Sequence, residues 1–157
     1  MKVFYHCYGS SHTSVVAAAI HVGGLAPDRL PRLGEIQDVP HFDRIRAVEL
    51  GTVFVSGRGP DSEEVLVVGF GPGRKIVREA VLSLLELKDV PPNDYLLVDA
   101  LDGANWVVRI GGMLSRRLGL VSIGRPLAAL GIRLMFRRLV RLVEKTQAEV
   151  RRRQEIP

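Results

Sequence analysis

KVFYHCYGSSHTSVVAAAIHVGG, residues 2–24, predicts a strand, a polar loop and a helix in that order. Lys2–Tyr8 is rich in β-branched and aromatic residues, which favour a strand. Thr13–Val22 consists of small and apolar residues suited to a buried helix, and Gly23-Gly24 is typical of a helix end. This first unit indicates an α/β fold.

Strands and helices continue to alternate along the rest of the chain. Residues 25–51 contain three prolines and several charges, so we expect an irregular excursion there. Thr52–Ser56 and Glu64–Phe70 are joined by the turn-forming residues 57–61 and predict an antiparallel hairpin. The pattern then predicts a helix, a strand, a helix and a last strand, at Pro72–Leu87, Tyr95–Val98, Asp102–Gly119 and Leu120–Ile123.

The carboxyl-terminal segment predicts a long amphipathic helix from Leu127. At about 100° per residue, one narrow stripe of this helix is apolar and is formed by Ile132, Phe136, Leu139, Val143 and Val150. We therefore expect a layered α/β domain over residues 1–150. Its mostly parallel sheet has about five strands flanked by helices, and residues 151–157 form a frayed basic tail.

Length and composition limit the class of protein. A chain of 157 residues that is 46% hydrophobic buries a core without a disulfide or a metal, and Cys7 has no cysteine to pair with. The opening residues lack the pattern of a signal peptide, and arginines such as Arg133 and Arg137 interrupt the most apolar region. We expect a cytoplasmic protein that does not enter the membrane.

Charge is distributed unevenly along the chain. Residues 1–108 hold 10 basic and 14 acidic residues (net −4), whereas residues 109–157 hold 12 basic and 3 acidic residues (net +9). Such asymmetry indicates either a solvated basic face or a surface for RNA or an acidic protein. The second alternative depends on Arg116, Arg117, Arg133, Arg137, Arg138, Arg141 and Arg151–Arg153.

The loop between the first strand and its helix is the strongest candidate site. Free amides and the positive end of the helix dipole favour an anion at a helix start, and phosphate is the natural ligand. We expect the oxyanion donors to come from Gly9, Ser10, Ser11, Thr13 and Ser14, with His12 as a catalytic group. In the alternative interpretation, Ser11 or Thr13 merely caps the helix.

Two known phosphate loops match this loop only in part. Aligning G-x4-G-K-[ST] on Thr13 places His6 and Ser11 at the glycines and His12 at the lysine. Aligning the Cys-x5-Arg-[ST] loop of cysteine-dependent phosphatases on Cys7 matches Ser14 but places Thr13 at the arginine. The loop is therefore P-loop-like in architecture but lacks the cation that either known loop uses.

Other strand ends offer polar groups to the same edge of the sheet. Residues 69–75, GFGPGRK, lack a dinucleotide fingerprint and favour a structural turn, with Arg74 and Lys75 as further phosphate contacts. Asp99 ends an apolar run and is a candidate to position Mg²⁺ or a catalytic water, and Arg125 is expected at the mouth of the last strand. A metal shared by His6 and Cys7 is disfavoured because neighbouring strand residues point to opposite faces.

Four collinear blocks carry a resemblance over nearly the whole chain: HCYGSSHTSVVAAAIHVG, LGEIQDVPHFD, GGMLSRRLGL and GRPLAALGI. In these blocks the chain resembles an uncharacterised family of small proteins, a domain of unknown function, from Gram-positive and often spore-forming bacteria. The resemblance implies no activity, cofactor or catalytic residue.

The sequence therefore supports two expectations of function. The first is binding of a phosphate-bearing small molecule or nucleotide at the loop, with phosphoryl transfer or phosphate-ester hydrolysis as the reaction class to test. The second is a non-catalytic protein whose basic carboxyl-terminal surface binds RNA or an acidic partner. Within the predicted basic helix only Phe136 is aromatic, and it lies on the apolar stripe, so base stacking is poorly provided for.

Overall fold

The computed structural model describes residues 1–101, 107 and 121–155. The strands are β1 (Lys2–Cys7), β2 (Val53–Arg58), β3 (Glu64–Gly69) and β4 (Tyr95–Asp99). The helices are α1 (Thr13–His21), α2 (Leu33–Gln37), α3 (Arg74–Leu87) and α4 (Val121–Gln154). Short 3₁₀ turns lie at Ala47–Glu49 and Pro92–Asp94. The helix predicted at Asp102–Gly119 lies outside the described residues, apart from Val107.

The described strands form one mixed sheet in the order β2-β3-β1-β4. The central strand β1 is parallel to both β3 and β4, and Tyr5 lies opposite Val67 and Val98. The antiparallel pairing of β2 with β3 confirms the predicted hairpin. The sheet is therefore parallel except at the β2 edge.

The fifth strand predicted at Leu120–Ile123 is wrong for residues 121–123, because these residues belong to α4. A short apolar run fits a strand and a helix equally well, so periodicity alone does not separate them. Val121 and Ile123 are also exposed in the helix rather than buried in a sheet. Among the described residues the sheet has four strands.

The main core lies on one face of the sheet. Because crossovers between parallel strands are almost always right-handed, α1 and α3 are expected on opposite faces: the chain moves from β1 to β3 after α1 and back past β1 to β4 after α3. The core cluster agrees, since it joins sheet residues such as Val3, Tyr5 and Val67 to α1 and α4 and includes no residue of α3. On the other face, α3 has no fully buried side chain, and Ile76 and Leu84 are largely exposed.

The long helix α4 confirms the predicted amphipathic stripe. All five stripe residues, Ile132, Phe136, Leu139, Val143 and Val150, are buried, and burying each is worth about 1.5–3 kcal/mol. The helix packs on α1 and α2 and ends at Gln154, so residues 151–154 of the predicted tail are helical. No helix among the described residues is long and apolar enough to cross a membrane.

A chain of three buried polar side chains ties β1, α1 and the hairpin turn together. The hydroxyl of Tyr5 lies 2.8 Å from Nδ1 of His21, and Nε2 of His21 lies 2.5 Å from Oε1 of Glu63. All three side chains are almost completely buried. Glu63 occupies the space beside Gly59, where an added Cβ would overlap its carboxylate. The turn of the hairpin is thus anchored in the core.

Candidate anion-binding site

The loop from Tyr8 to His12 leaves the carboxyl end of β1 in direct contact with the end of β3. The amide of Phe70 donates to the carbonyl of Cys7 (3.0 Å), and the amide of Gly71 donates to the carbonyl of Tyr8 (2.8 Å). A Cβ at Gly69 would lie 3.1 Å from the carbonyl carbon of Gly9 and 3.2 Å from its Cα. The two loops therefore approach backbone to backbone.

The backbone amides at the start of α1 have no backbone acceptor in the described part of the chain. The first helical hydrogen bond is donated by Val16 to the carbonyl of His12. Within residues 1–101 and 121–155, the amides from Gly9 to Val15 donate to no backbone carbonyl. His12 is the N-cap residue, and its side chain makes no capping hydrogen bond. These amides provide the positive end of the helix dipole.

Two hydroxyls of the loop are buried and have no partner among the described residues. Ser10 and Thr13 are each about 1% exposed, and neither Oγ of Ser10 nor Oγ1 of Thr13 forms a hydrogen bond within residues 1–101 and 121–155. Ser10 also has a φ of 51°, in the left-handed region that few non-glycine residues adopt. An unpaired buried hydroxyl costs about 1–3 kcal/mol. The unpaired hydroxyls and the left-handed backbone conformation of Ser10 both lie at the start of α1.

The other two hydroxyls of the loop are already engaged. Ser11 Oγ donates to the carbonyl of Gly9 (3.0 Å), with the carbonyl of Ile45 at 3.4 Å, and so its one proton is not available to a ligand. Ser14 Oγ lies 3.1 Å from Sγ of the buried Cys7. The interpretation of Ser11 or Thr13 as a cap is wrong, since neither hydroxyl bonds to a helix amide.

The side chain of His12 contacts Asp43, a residue of the irregular segment 25–51. Its Nε2 lies 3.1 Å from Oδ1 of Asp43, and its ring meets that of Phe42 edge to face. The amide of Asp43 in turn donates to the carbonyl of Ser11 (2.8 Å). Asp43 therefore fixes both the loop backbone and the orientation of the histidine. The sequence offered no signal for this contact, because the two residues are 31 positions apart.

Asp99 is paired with an arginine. Arg74 Nε donates to Oδ2 of Asp99 at 3.1 Å, and the amide of Leu101 donates to Oδ1 at 2.9 Å. The described residues contain no group of three side chains suited to hold a metal ion. The structure thus gives Asp99 a cationic partner, and its predicted role toward Mg²⁺ or water stays a prediction.

Arg125 does not stand at the mouth of a strand as predicted, because the segment that contains it is helical. It lies in the first turns of α4, and its Nη2 donates to the carbonyl of Gln37 at the end of α2 (2.6 Å). In this position the guanidinium fastens α2 to α4.

His6 lies on the opposite face of β1 from Cys7, as the strand alternation predicted. Its ring stacks on Phe70 at a centroid distance of 4.6 Å, and neither ring nitrogen has a hydrogen-bond partner among the residues that the structure describes. Burial lowers the pKa of His6 below its ordinary value of 6.5, against a smaller opposing effect of Asp99. The ring is thus a neutral, buried group beneath the start of α3.

Several basic residues of α4 bind the protein's own carbonyls. Arg133 donates to Pro31, and Arg137 donates to Pro27 and Asp28. Arg153 donates to the carbonyls of Pro92 and Tyr95, and Arg151 pairs with Asp61. Arg116 and Arg117 lie outside the described residues. Binding of RNA or an acidic partner by this surface stays a prediction.

A cleft of about 490 Å³ lies beside α1, between Val15 and Ala19 of that helix and Val55 of the edge strand. Glu35 and Asp38 contribute carboxylates to its wall. Arg29, with the amide of Arg32, lowers the pKa of Glu35 to about 2, so this side chain is an anion at neutral pH. No basic residue is among the described residues that line this cleft, so the loop before α1 is the better candidate for a phosphate site.

Comparison with known proteins assigns the chain to a family. No curated protein and no solved structure matches it. A family model described as a protein of unknown function, DUF3189, matches residues 2–148. The chain therefore belongs to the DUF3189 family.

Proposed function

We propose that the protein binds the phosphate group of a small molecule at the start of α1. The observation that carries this proposal is the pair of buried, unpartnered hydroxyls of Ser10 and Thr13 beside free helix-start amides. Oxyanion oxygens accept hydrogen bonds from both kinds of donor. A bound phosphate would satisfy donors that the described residues leave unpaired.

The arrangement also indicates which chemistry to test. The loop contributes the partial positive charge of the helix dipole, worth up to ~2 kcal/mol in partly buried geometries. His12, oriented by Asp43, is the side chain of the loop suited to carry a proton. Phosphate-ester hydrolysis or phosphoryl transfer is therefore the reaction class to assay once a ligand is found.

The proposal is tested by removing the two free hydroxyls without disturbing the fold. Ser10→Gly suits the positive φ, and Thr13→Val replaces an unpaired hydroxyl by a methyl group of similar size. We expect both variants to unfold at the same temperature as the wild type or higher, and their affinity for inorganic phosphate to fall. Titration calorimetry measures the affinity, and a melting scan detects the ~2.7 kcal/mol expected at 100-fold above Kd.

Ser62→Gly is the matched control. Ser62 also has a positive φ, 64°, but it is exposed on the hairpin turn. This variant should bind phosphate as the wild type does. A wild type that inorganic phosphate does not stabilise, or Ser10 and Thr13 variants that bind it unchanged, would contradict the proposed function.

A further inference from the structure

The proposed loop lacks a cation of its own, and the neighbouring strand end offers one. Arg74 is the first residue of α3, directly after the turn that follows β3, and Asp99 is the last residue of β4. Strand β1 lies between β3 and β4 in the sheet. The Arg74–Asp99 ion pair, with Nε and Oδ2 3.1 Å apart, therefore bridges the carboxyl end of β1. Neighbouring strands are about 4.8 Å apart, so the bridge spans roughly 10 Å.

The guanidinium of Arg74 is held on one side and open on the other. Its Nε is bound to Asp99, whose second carboxylate oxygen accepts from the amide of Leu101. Among the residues that the structure describes, neither Nη1 nor Nη2 of Arg74 has a hydrogen-bond partner. The side chain is 31% exposed. Its position is thus fixed while its terminal fork remains free to grip an oxyanion.

The topology places this fork at the same end of the sheet as the loop. The helices that follow β1 and β3 lie on opposite faces of the sheet, which makes the gap between these strand ends a topological switch point. The backbone contact of Gly69 with Gly9 places the two loops side by side at that gap. Open α/β sheets bind their ligands in such crevices.

We propose that Arg74, positioned by Asp99, completes the phosphate site and makes it selective for phosphomonoesters. This inference rests on the proposed function. A monoester offers three terminal oxygens and up to two negative charges, whereas a diester offers two such oxygens and one charge. Two hydroxyls, several helix-start amides and two Nη groups are more donors than a diester can satisfy. Asp99 acts as a positioning residue.

The test compares methyl phosphate with dimethyl phosphate by titration calorimetry. We expect the wild type to bind methyl phosphate at least tenfold more tightly than dimethyl phosphate. Arg74→Gln should weaken methyl phosphate at least tenfold and remove most of this preference. Arg74→Lys should retain only part of the preference for methyl phosphate, because an ammonium group keeps the positive charge but lacks the two Nη donors of the guanidinium. Asp99→Asn should weaken methyl phosphate less than Arg74→Gln does, because the charge of Arg74 remains.

Arg78→Gln is the matched control, because Arg78 lies one turn further along α3 and pairs with Glu79 at the surface. It should bind both probes as the wild type does. Unchanged binding of methyl phosphate by Arg74→Gln, or equal wild-type affinity for the two probes, would overturn the inference. If Ser10→Gly and Thr13→Val still weaken phosphate binding in that case, the proposed function is supported and only the role of Arg74 is contradicted. A wild type that binds neither probe contradicts both proposals.

Discussion

Ser10 and Ser11 are adjacent in the chain and equally buried, yet their hydroxyls have opposite roles. Ser11 closes the loop on itself and on the excursion through the carbonyls of Gly9 and Ile45. Ser10, which has a positive φ, has a hydroxyl without a partner among the described residues. Ser11 therefore maintains the shape of the loop, whereas the hydroxyl of Ser10 is left available to a ligand. Substitutions at the two positions should consequently differ in kind, with Ser11 affecting stability and Ser10 affecting binding.

The phenol of Tyr5 forms a hydrogen bond with the buried His21. Burial raises the pKa of Tyr5, so its hydroxyl stays protonated and donates to Nδ1 of a neutral His21, which in turn donates from Nε2 to Glu63. Tyr5→Phe leaves Nδ1 buried and unpaired. We expect a loss of about 1–3 kcal/mol in the free energy of unfolding, measured with urea.

Tyr8→Phe provides the comparison for Tyr5→Phe. The side chain of Tyr8 is exposed, so removal of its hydroxyl should change the free energy of unfolding by less than about 0.5 kcal/mol. Equal effects of the two substitutions would show that the hydroxyl of Tyr5 contributes nothing through His21.

At the scale of elements, the contact between the β3 end and the anion-binding loop depends on a missing side chain. Gly69→Ala would bring a Cβ to 3.0 Å from Leu50 Cδ2 and close to the backbone of Gly9. The backbone has little room to yield, and so we expect a loss of about 1–3 kcal/mol in unfolding free energy and weaker phosphate binding. Denaturant unfolding and titration calorimetry measure the two effects.

A second alanine substitution should act in the opposite direction. Gly34 lies in α2 with open space around its Cβ position. Gly34→Ala is therefore expected to stabilise the protein by about 0.5–1 kcal/mol through helix propensity. A destabilised Gly34→Ala, or a Gly69→Ala variant as stable as the wild type, would contradict the steric account of these two positions.

The elements that sequence predicted best are those with a strong period or a strong turn signal. The stripe of α4 follows from helical spacing, and the hairpin follows from residues 57–61 between two β-rich runs. The run Leu120–Ile123 is too short to carry a period, so the sequence favours a strand where the structure has a helix for residues 121–123. The loop was recognisable from its composition, but Asp43 and Ile45 reach it from a distant excursion. Such contacts depend on tertiary packing, which local patterns do not encode.

For the whole molecule, the buried histidines determine how stability changes with pH. Burial lowers the pKa of both His6 and His21 below 6.5, against smaller raising effects of Asp99 and Glu63 respectively. The folded state then binds fewer protons than the unfolded state once the pH falls below about 6.5. Stability is fully present above that pH and declines below it, by up to about 1.4 kcal/mol per pH unit for each histidine.

His6→Phe separates the contribution of one histidine. Phenylalanine preserves the stacking on Phe70 and removes two unpaired nitrogens, so the variant should be at least as stable at pH 8. Its free energy of unfolding should fall less steeply than that of the wild type between pH 6.5 and pH 5. Glu35 and Glu149 are half-buried, and arginine partners lower their pKa values to about 2, so they titrate at lower pH. An unchanged slope would assign the pH dependence to other groups.

The central position of β1 also has a consequence for the order in which the chain assembles. β1 is made before the strands on either side of it, since its partners begin at Glu64 and Tyr95. The hairpin of β2 and β3 closes through a local turn, whereas both pairings of β1 close long loops and carry the larger entropy cost. As the chain grows on the ribosome, β1 gains its second neighbour only after Asp99 has emerged. Of the four described strands, the one that comes first in this sequence is thus among the last to be fully paired.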